Sequence, residues 1–444
     1  LKGVPVLPST MMEALTFEPS FYDFKDQSLF SGGDISLLGK IFPAGGDSSA
    51  VREYVTSRLW FTYRKNFAPI GGTGPSSDQG WGCMMRCAQM LMGEVLLRRH
   101  VGIHWEWKRE LPSGNYERIL RMFADDKNAL YSIHQIAQMA VSEGKGFAEW
   151  IGPNTAAQVL KKLAVFDAWS SLSVHVALDN VLISSDVHQM ATTRPDKDAI
   201  KIILEDGKLD DIFTESLQPP LLNEKEALDV SSPEAPPIWR PVLILVPLRL
   251  GLSTINDHYL PAVKAYFNLP QCIGILGGRP NHALFFVGIK DDKLIYLDPH
   301  YTQNTLNPVH SNSSLESFED GFELAVEAVH VNESGEVVDS PIEDDSTFHC
   351  PYLYWMDYKD VDPSLALGLY CSDEDDFEDL KLRLKETVLN TPDFPLFEQL
   401  EKRPPKWPKF VPYMGVRAQI RMAEFLDMGA PNYESDDQFE ILEE

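Results

Sequence analysis

A glycine-rich loop, Asp78-Gln79-Gly80-Trp81-Gly82, runs directly into Cys83 and an apolar stretch reaching about Arg99. Within it Cys87, Leu91 and Val95 recur at i, i+4 spacing, with Ala88, Met92 and Leu96 beside them. That spacing predicts a helix with one face turned to the core. The loop therefore delivers a cysteine to a helix N-terminus, where unpaired N–H groups and the positive dipole end favour thiolate over thiol. A buried, inert cysteine is the plain alternative for such a segment taken alone. Cys87 lies one turn further on, within the apolar stripe and away from the dipole end, and is expected to be the inert one of the two.

The rest of the composition narrows the classes open to the chain. With 444 residues, 44% of them hydrophobic, there is material for one large domain with insertions or two modest ones. A formal charge of −27 argues against nucleic acid and against docking on anionic membranes through a basic patch. The five cysteines, Cys83, Cys87, Cys272, Cys350 and Cys371, are odd in number and scattered, as reduced cytosolic thiols are. No apolar run approaches the ~20 residues that span a bilayer. A cytoplasmic, monomeric protein is expected.

Along the chain, residues 1–50 read as a loosely ordered lead-in. Pro153-Asn154-Thr155 marks a helix start, with Thr155 and Gln158 at capping-box spacing. Leu172, Val174, Val176 and Leu178 alternate as in a half-buried strand, which turns His175 to the other face. The β-branched and leucine run 242–246 predicts a central buried strand. Two further runs, 284–289 and 294–297, joined through Asp291-Asp292, predict a hairpin. A helix is expected from Phe377 to Leu389. The acidic stretches 193–239 and 305–346 read as surface insertions, and 393–444 as a C-terminal segment ending in an acidic tail. Helices and strands mix without regular βαβ alternation, so the expected class is α+β, with an antiparallel or mixed sheet.

A catalytic thiol needs a base, and the base an orienting group. Asp298-Pro299-His300 follows the strand through Tyr296 and Leu297, and residues i and i+2 of an extended chain share a face. The carboxylate can therefore sit beside an imidazole nitrogen, at a strand end where Pro299 interrupts the ladder. For an oxyanion, the Cys83 backbone N–H is a natural donor. Tyr63 and Gln79 are both open as side-chain donors. Cys83, Cys87, His349 and Cys350 lack the paired short spacing of a zinc site, so no metal and no cofactor are expected.

These residues also carry a resemblance. Arg58-Leu59-Trp60-Phe61-Thr62-Tyr63-Arg64, Ile70-Gly71-Gly72-Thr73-Gly74-Pro75, Gly80-Trp81-Gly82-Cys83-Met84, Gly152-Pro153-Asn154-Thr155, Leu276-Gly277-Gly278-Arg279-Pro280-Asn281 and Leu297-Asp298-Pro299-His300 resemble the autophagins, cysteine proteases of autophagy. The resemblance covers roughly residues 55–190, 238–303 and 345–390. It implies a papain-like fold with a small extra subdomain, and a catalytic domain over 51–392. It implies Cys83 as nucleophile, His300 as base, Asp298 as orienter and Tyr63, rather than Gln79, at the oxyanion hole. Trp150 would line a narrow substrate groove, and Gly277, Gly278, Arg279, Pro280 and Asn281 would form a flap over the thiol. The implied substrates are GABARAP-type ubiquitin-like modifiers, cut after a C-terminal glycine or released from phosphatidylethanolamine, with membrane contact only through the lipidated substrate.

A narrow groove has its own logic, since only glycine, lacking Cβ, threads its backbone through such a gap. Phe439-Glu440-Ile441-Leu442, led by Asp436-Asp437, looks like an aromatic-x-x-aliphatic motif that adds a strand to a modifier, with Phe439 and Leu442 as anchors. Two other readings compete: an idle adaptor that binds modifiers through this tail, and a thiol hydrolase for another modifier. Intact Cys83, Asp298 and His300 argue against the first.

Overall fold

The run 242–246 forms the buried centre of a mixed sheet, as its unbroken apolar sequence predicts. The structure is a computed structural model that describes residues 30, 32–110, 112–146, 148–193, 238–305, 342, 344–390 and 395–414. Among these, nine strands make the sheet: β1 (Ile35–Leu37), β2 (Lys40–Phe42), β3 (Ser173–Val176), β4 (Val242–Arg249), β5 (Cys272–Arg279), β6 (His282–Lys290), β7 (Lys293–Leu297), β8 (Tyr354–Asp357) and β9 (Ser364–Cys371). Their order is β8-β7-β6-β5-β9-β4-β3, with β1 paired to β6 and β2 to β1. Only β3 and β4 run parallel, Ser173 opposite Val242; the other pairs in the sheet are antiparallel. The expected hairpin is β6–β7, turning at Asp291-Asp292 with Asp291 in the left-handed region at φ 52°.

Eight α-helices accompany the sheet among the described residues: α1 (Ser48–Thr56), α2 (Cys83–His100), α3 (Gly114–Met122), α4 (Ile133–Val141), α5 (Pro153–Leu163), α6 (Ser184–Thr192), α7 (Leu260–Phe267) and α8 (Glu374–Arg383). None is long and apolar enough to cross a membrane. α2 starts and ends where its sequence predicts, but it has no solvent face over its first four turns. Every residue from Cys83 to Leu97 is buried, because β5 and β6 cover one side and α3, α4 and α5 the other. A helix covered all round must satisfy its polar side chains internally. Glu94 does so between Arg58 (3.1 Å) and Arg98 (2.8 Å), and Arg98 also donates to the carbonyls of Leu38 and Cys272. The central helix is thereby tied to β5 and to the turn after β1.

Several local expectations need correction. α5 begins at Pro153, not at a Thr155–Gln158 capping box: Gly152 is the N-cap, with no side-chain cap, and proline's fixed φ suits the first helical position. β3 is buried at all four positions rather than half-buried, since α5 and α6 pack against it. His175 is accordingly a core residue, its ring 5.5 Å from that of Phe410, with burial pushing its pKa down to about 4. α8 starts three residues before Phe377, because Asp373 caps it by accepting from the Asp376 N–H (2.9 Å) and three acids fill the first turn; a π turn, Leu384–Val388, continues it. Within the stretch read as a lead-in, residues 35–42 form the β1–β2 hairpin on the sheet, and α1 begins at Ser48. Further on, Glu398–Leu400 pairs in parallel with Val181–Ile183, and Arg403 bridges to Asp186. Apart from their ends, the segments 193–239 and 305–346 fall outside the described residues, as do Phe439 and Leu442.

Candidate active site

Backbone lacing between two extended segments brings the candidate residues together. The Tyr63 N–H donates to the Pro299 carbonyl (2.9 Å), the Gln303 N–H to Tyr63 (2.9 Å), and the Thr305 N–H to Lys65 (3.0 Å). Trp60 adds an indole N–H bond to the Asp298 carbonyl (2.7 Å). Residues 60–65 therefore lie alongside 298–305, which sets the Tyr63 ring edge-on to His300, centroids 5.4 Å apart at 90°.

The other side of the same segment holds the cysteine loop. Asp78, fully buried, accepts from the Arg64 N–H at 2.6 Å. It also takes two bonds from Arg86, at 2.7 Å from Nε and 3.2 Å from Nη2, while Arg86 reaches Asp125 at 2.8 Å. The Asp78 carbonyl accepts from the N–H groups of Trp81 and Gly82. Gly82 is the N-cap of α2, and a Cβ there would stand 2.5 Å from Asp78 Oδ2. The glycine lets the turn close over the carboxylate, so Cys83 opens α2 beside Tyr63.

At the centre, Asp298 Oδ1 accepts from His300 Nδ1 at 2.6 Å and from the His300 backbone N–H at 2.9 Å. The remaining ring nitrogen, Nε2, is buried without a hydrogen-bond partner of ordinary geometry, and the Cys83 thiol interacts with the same ring. Burial alone would lower the His300 pKa, but Asp298 and Cys83 outweigh it and raise it to about 9. Burial would likewise push the Cys83 thiol up; the His300 cation, the Ala283 backbone N–H and the Tyr63 hydroxyl outweigh it and bring it down. Asp298 is held well below the usual carboxylate range, because contacts with His282 and His300 exceed the cost of burial. Burial first, and then the charge of Cys83, keeps the Tyr63 phenol protonated as a donor. Both central shifts favour a thiolate–imidazolium pair, the state in which a thiol is nucleophilic. Cys87 contrasts with this: burial and the charge of Cys83 push its thiol well up.

His282 is the residue sequence reasoning missed. Its ring stacks on that of His300 with centroids 3.5 Å apart and planes within 8°, and its Nε2 lies 3.9 Å from Asp298 Oδ2. Possible ligand atoms of His282, Asp298 and His300 lie within 4.8 Å of one another. His300 Nδ1 is committed to Asp298, so the three residues do not offer a free ligand set for an ion. Beside it opens a cavity of about 510 Å³ whose lining includes Trp60, Arg279, His282, Asp298, His300 and Tyr301.

The segment read as a flap is mostly strand. Gly277, Gly278 and Arg279 end β5, paired with Leu284, Ala283 and His282 of β6, which leaves Pro280-Asn281 as the turn. Gly278 has φ 148°, and a Cβ there would meet the His282 carbonyl oxygen at 2.1 Å, so glycine alone permits this pairing. Trp150 stands exposed on the loop entering α5. Gln79, the other donor considered for an oxyanion, is half-buried, and its backbone N–H bonds to Ser77.

On a mixed sheet packed with helices, the structure brings together a cysteine, a histidine and an aspartate, the residue set of a thiol hydrolase. Residues 48–383 match the Peptidase C54 catalytic domain. The chain is 40% identical over 410 residues to the mouse (Mus musculus) protein named cysteine protease ATG4A, covering 91% of this chain and 92% of that one. It is 39% identical over 396 residues to cysteine protease ATG4B of Xenopus laevis, covering 88% and 90%. The human (Homo sapiens) cysteine protease ATG4A is 38% identical over 426 residues, covering 95% and 96%. The chain belongs to the Peptidase C54 family, the autophagins, as its motifs suggested, and is an autophagy-related cysteine protease.

Proposed function

We propose that Cys83 is the nucleophile, His300 the general base and acid, Asp298 its orienter and Tyr63 an oxyanion donor. The substrate is a ubiquitin-like autophagy modifier of the GABARAP type. The observation that carries this is the His300–Asp298 bond at 2.6 Å beside a thiol with a lowered pKa. The Cys83 thiolate attacks the carbonyl carbon of the modifier's C-terminal glycine, and charge gathers on the carbonyl oxygen. The Tyr63 hydroxyl and the Cys83 backbone N–H are the donors for it. The His300 imidazolium passes its proton to the departing amine, which leaves a thioester on Cys83. Neutral His300 then takes a proton from water, whose oxygen attacks the thioester and frees the glycine carboxylate.

The bond to a precursor's next residue and the bond to phosphatidylethanolamine are both amides of that glycine. One site therefore serves processing and delipidation. The exposed Trp150 and the hairpin tip Arg279-Pro280-Asn281 form a narrow approach that selects glycine for its missing Cβ. Phe439 and Leu442 in the acidic tail dock a modifier by strand addition. Residues 51–392 form a papain-like catalytic domain with a small extra subdomain, acting as a cytoplasmic monomer. Cleavage assays of modifier precursors against a ubiquitin fusion test the reading with native chain and Cys83→Ala. Native chain should cut the modifier precursor and Cys83→Ala should not; a preference for ubiquitin, or an active alanine variant, would overturn it.

A further inference from the structure

We propose that His282 is a positioning residue that sets the plane of the His300 imidazole from the tip of the β5–β6 hairpin. This rests on the reading of His300 as the base. The stack is close and nearly parallel, 3.5 Å between centroids with 8° between planes. The two rings divide one carboxylate: His300 takes Asp298 Oδ1 at 2.6 Å, and His282 Nε2 lies 3.9 Å from Oδ2. The other aromatic ring that His300 meets among the described residues is Tyr63, edge-on at 5.4 Å. An edge contact leaves a ring free to tilt, whereas a full face does not. His282 therefore supplies the face that stops rotation about the Nδ1–Asp298 bond and keeps Nε2 directed at the thiol.

The same strand end reaches the nucleophile. Ala283, the next residue, donates its backbone N–H toward the Cys83 sulfur, one of the contacts that lower its pKa. His282 pairs with Arg279 across the Pro280-Asn281 turn, and Gly278 allows β5 to close against the His282 carbonyl. The face against the base and one of the contacts to the thiol thus come from two consecutive residues at one hairpin tip. A peptide tail that shifts the tip moves both together, so the geometry of the pair responds to what occupies the approach.

The test compares full-length native chain, His282→Ala, His282→Phe and Cys83→Ser on a modifier precursor, with iodoacetamide labelling of Cys83 followed in parallel. Removing the face should lower kcat by about ten- to hundredfold, the range a mis-set reacting geometry costs. KM should stay at the native value, and Cys83 labelling should slow. Phenylalanine restores the face without the nitrogen and should recover most of the lost kcat. Native kcat in His282→Ala, a loss confined to KM, or a phenylalanine variant as impaired as alanine would each overturn the positioning role. A Cys83→Ser chain that still cleaves would instead overturn the reading of the site itself, an outcome separate from either result at position 282.

Discussion

Asp298 Oδ1 receives two hydrogen bonds from His300, one from the ring at 2.6 Å and one from the backbone at 2.9 Å. The backbone bond fixes the carboxylate relative to the chain, and the ring bond fixes the tautomer that leaves Nε2 for the thiol. Asp298→Asn keeps the shape but offers an amide that can present N–H to the ring, so the tautomer is no longer set. We expect kcat to fall by roughly 10²–10⁴-fold with KM little changed, as measured by steady-state cleavage. A variant within a factor of a few of native would remove Asp298 from the mechanism.

The pH dependence of kcat/KM follows from the two shifted groups. Activity rises as Cys83 gives up its proton, at a pH below the ordinary thiol value because the His300 pairing outweighs burial. It falls as pH passes through about 9, where His300 loses the proton needed by the departing amine. In Asp298→Ala the carboxylate no longer supports the imidazolium, so the alkaline limb should move to lower pH. An alkaline limb that stays in place in that variant would contradict the assignment.

Arg86 is buried with Asp78 and Asp125, at 2.7 and 2.8 Å. Arg86→Met removes one side of this ion pair and strands the Asp78 carboxylate inside the protein. The expected cost is about 3–5 kcal/mol, read from the shift in a urea unfolding curve. Because the turn through Gly82 packs against the same carboxylate, the variant should also lose activity where it remains folded. Gly82→Ala, with its Cβ 2.5 Å from Asp78 Oδ2, should show the activity loss too. Native stability in Arg86→Met would show that the loop is held by other contacts.

Phe439→Ala tests the tail. It should weaken binding of a whole modifier, measured by calorimetry, and leave cleavage of short tail peptides at the native rate. Equal losses on both substrates would refute a docking role for the tail motif.

How much of this was legible in the sequence depends on the range over which each feature is encoded. Cys83 at a helix start and Asp298 with His300 at a strand end are local patterns, and each lies where its spacing placed it. The full burial of α2 was not legible, because charged Arg86 and Glu94 can be buried only with partners, and Asp78, Asp125 and Arg58 are brought in from outside the helix. The β1–β2 strands are three residues each, too short to show a period, and need β6 to pair with. His282 gave no signal beyond its residue type: its stack on His300 depends on the register Arg279↔His282 and on Gly278 closing the hairpin. Pairing register reaches across strands and leaves little trace in any one of them.

The most direct test of the central claim uses a modifier whose C-terminal glycine carries a thiol-reactive electrophile in place of its carboxylate. The adduct formed with the full chain is mapped by mass spectrometry. The account predicts a single adduct on Cys83, abolished in Cys83→Ala and slowed in Asp298→Asn. An adduct on Cys87, or labelling at equal rates when Asp298 is replaced, would contradict it.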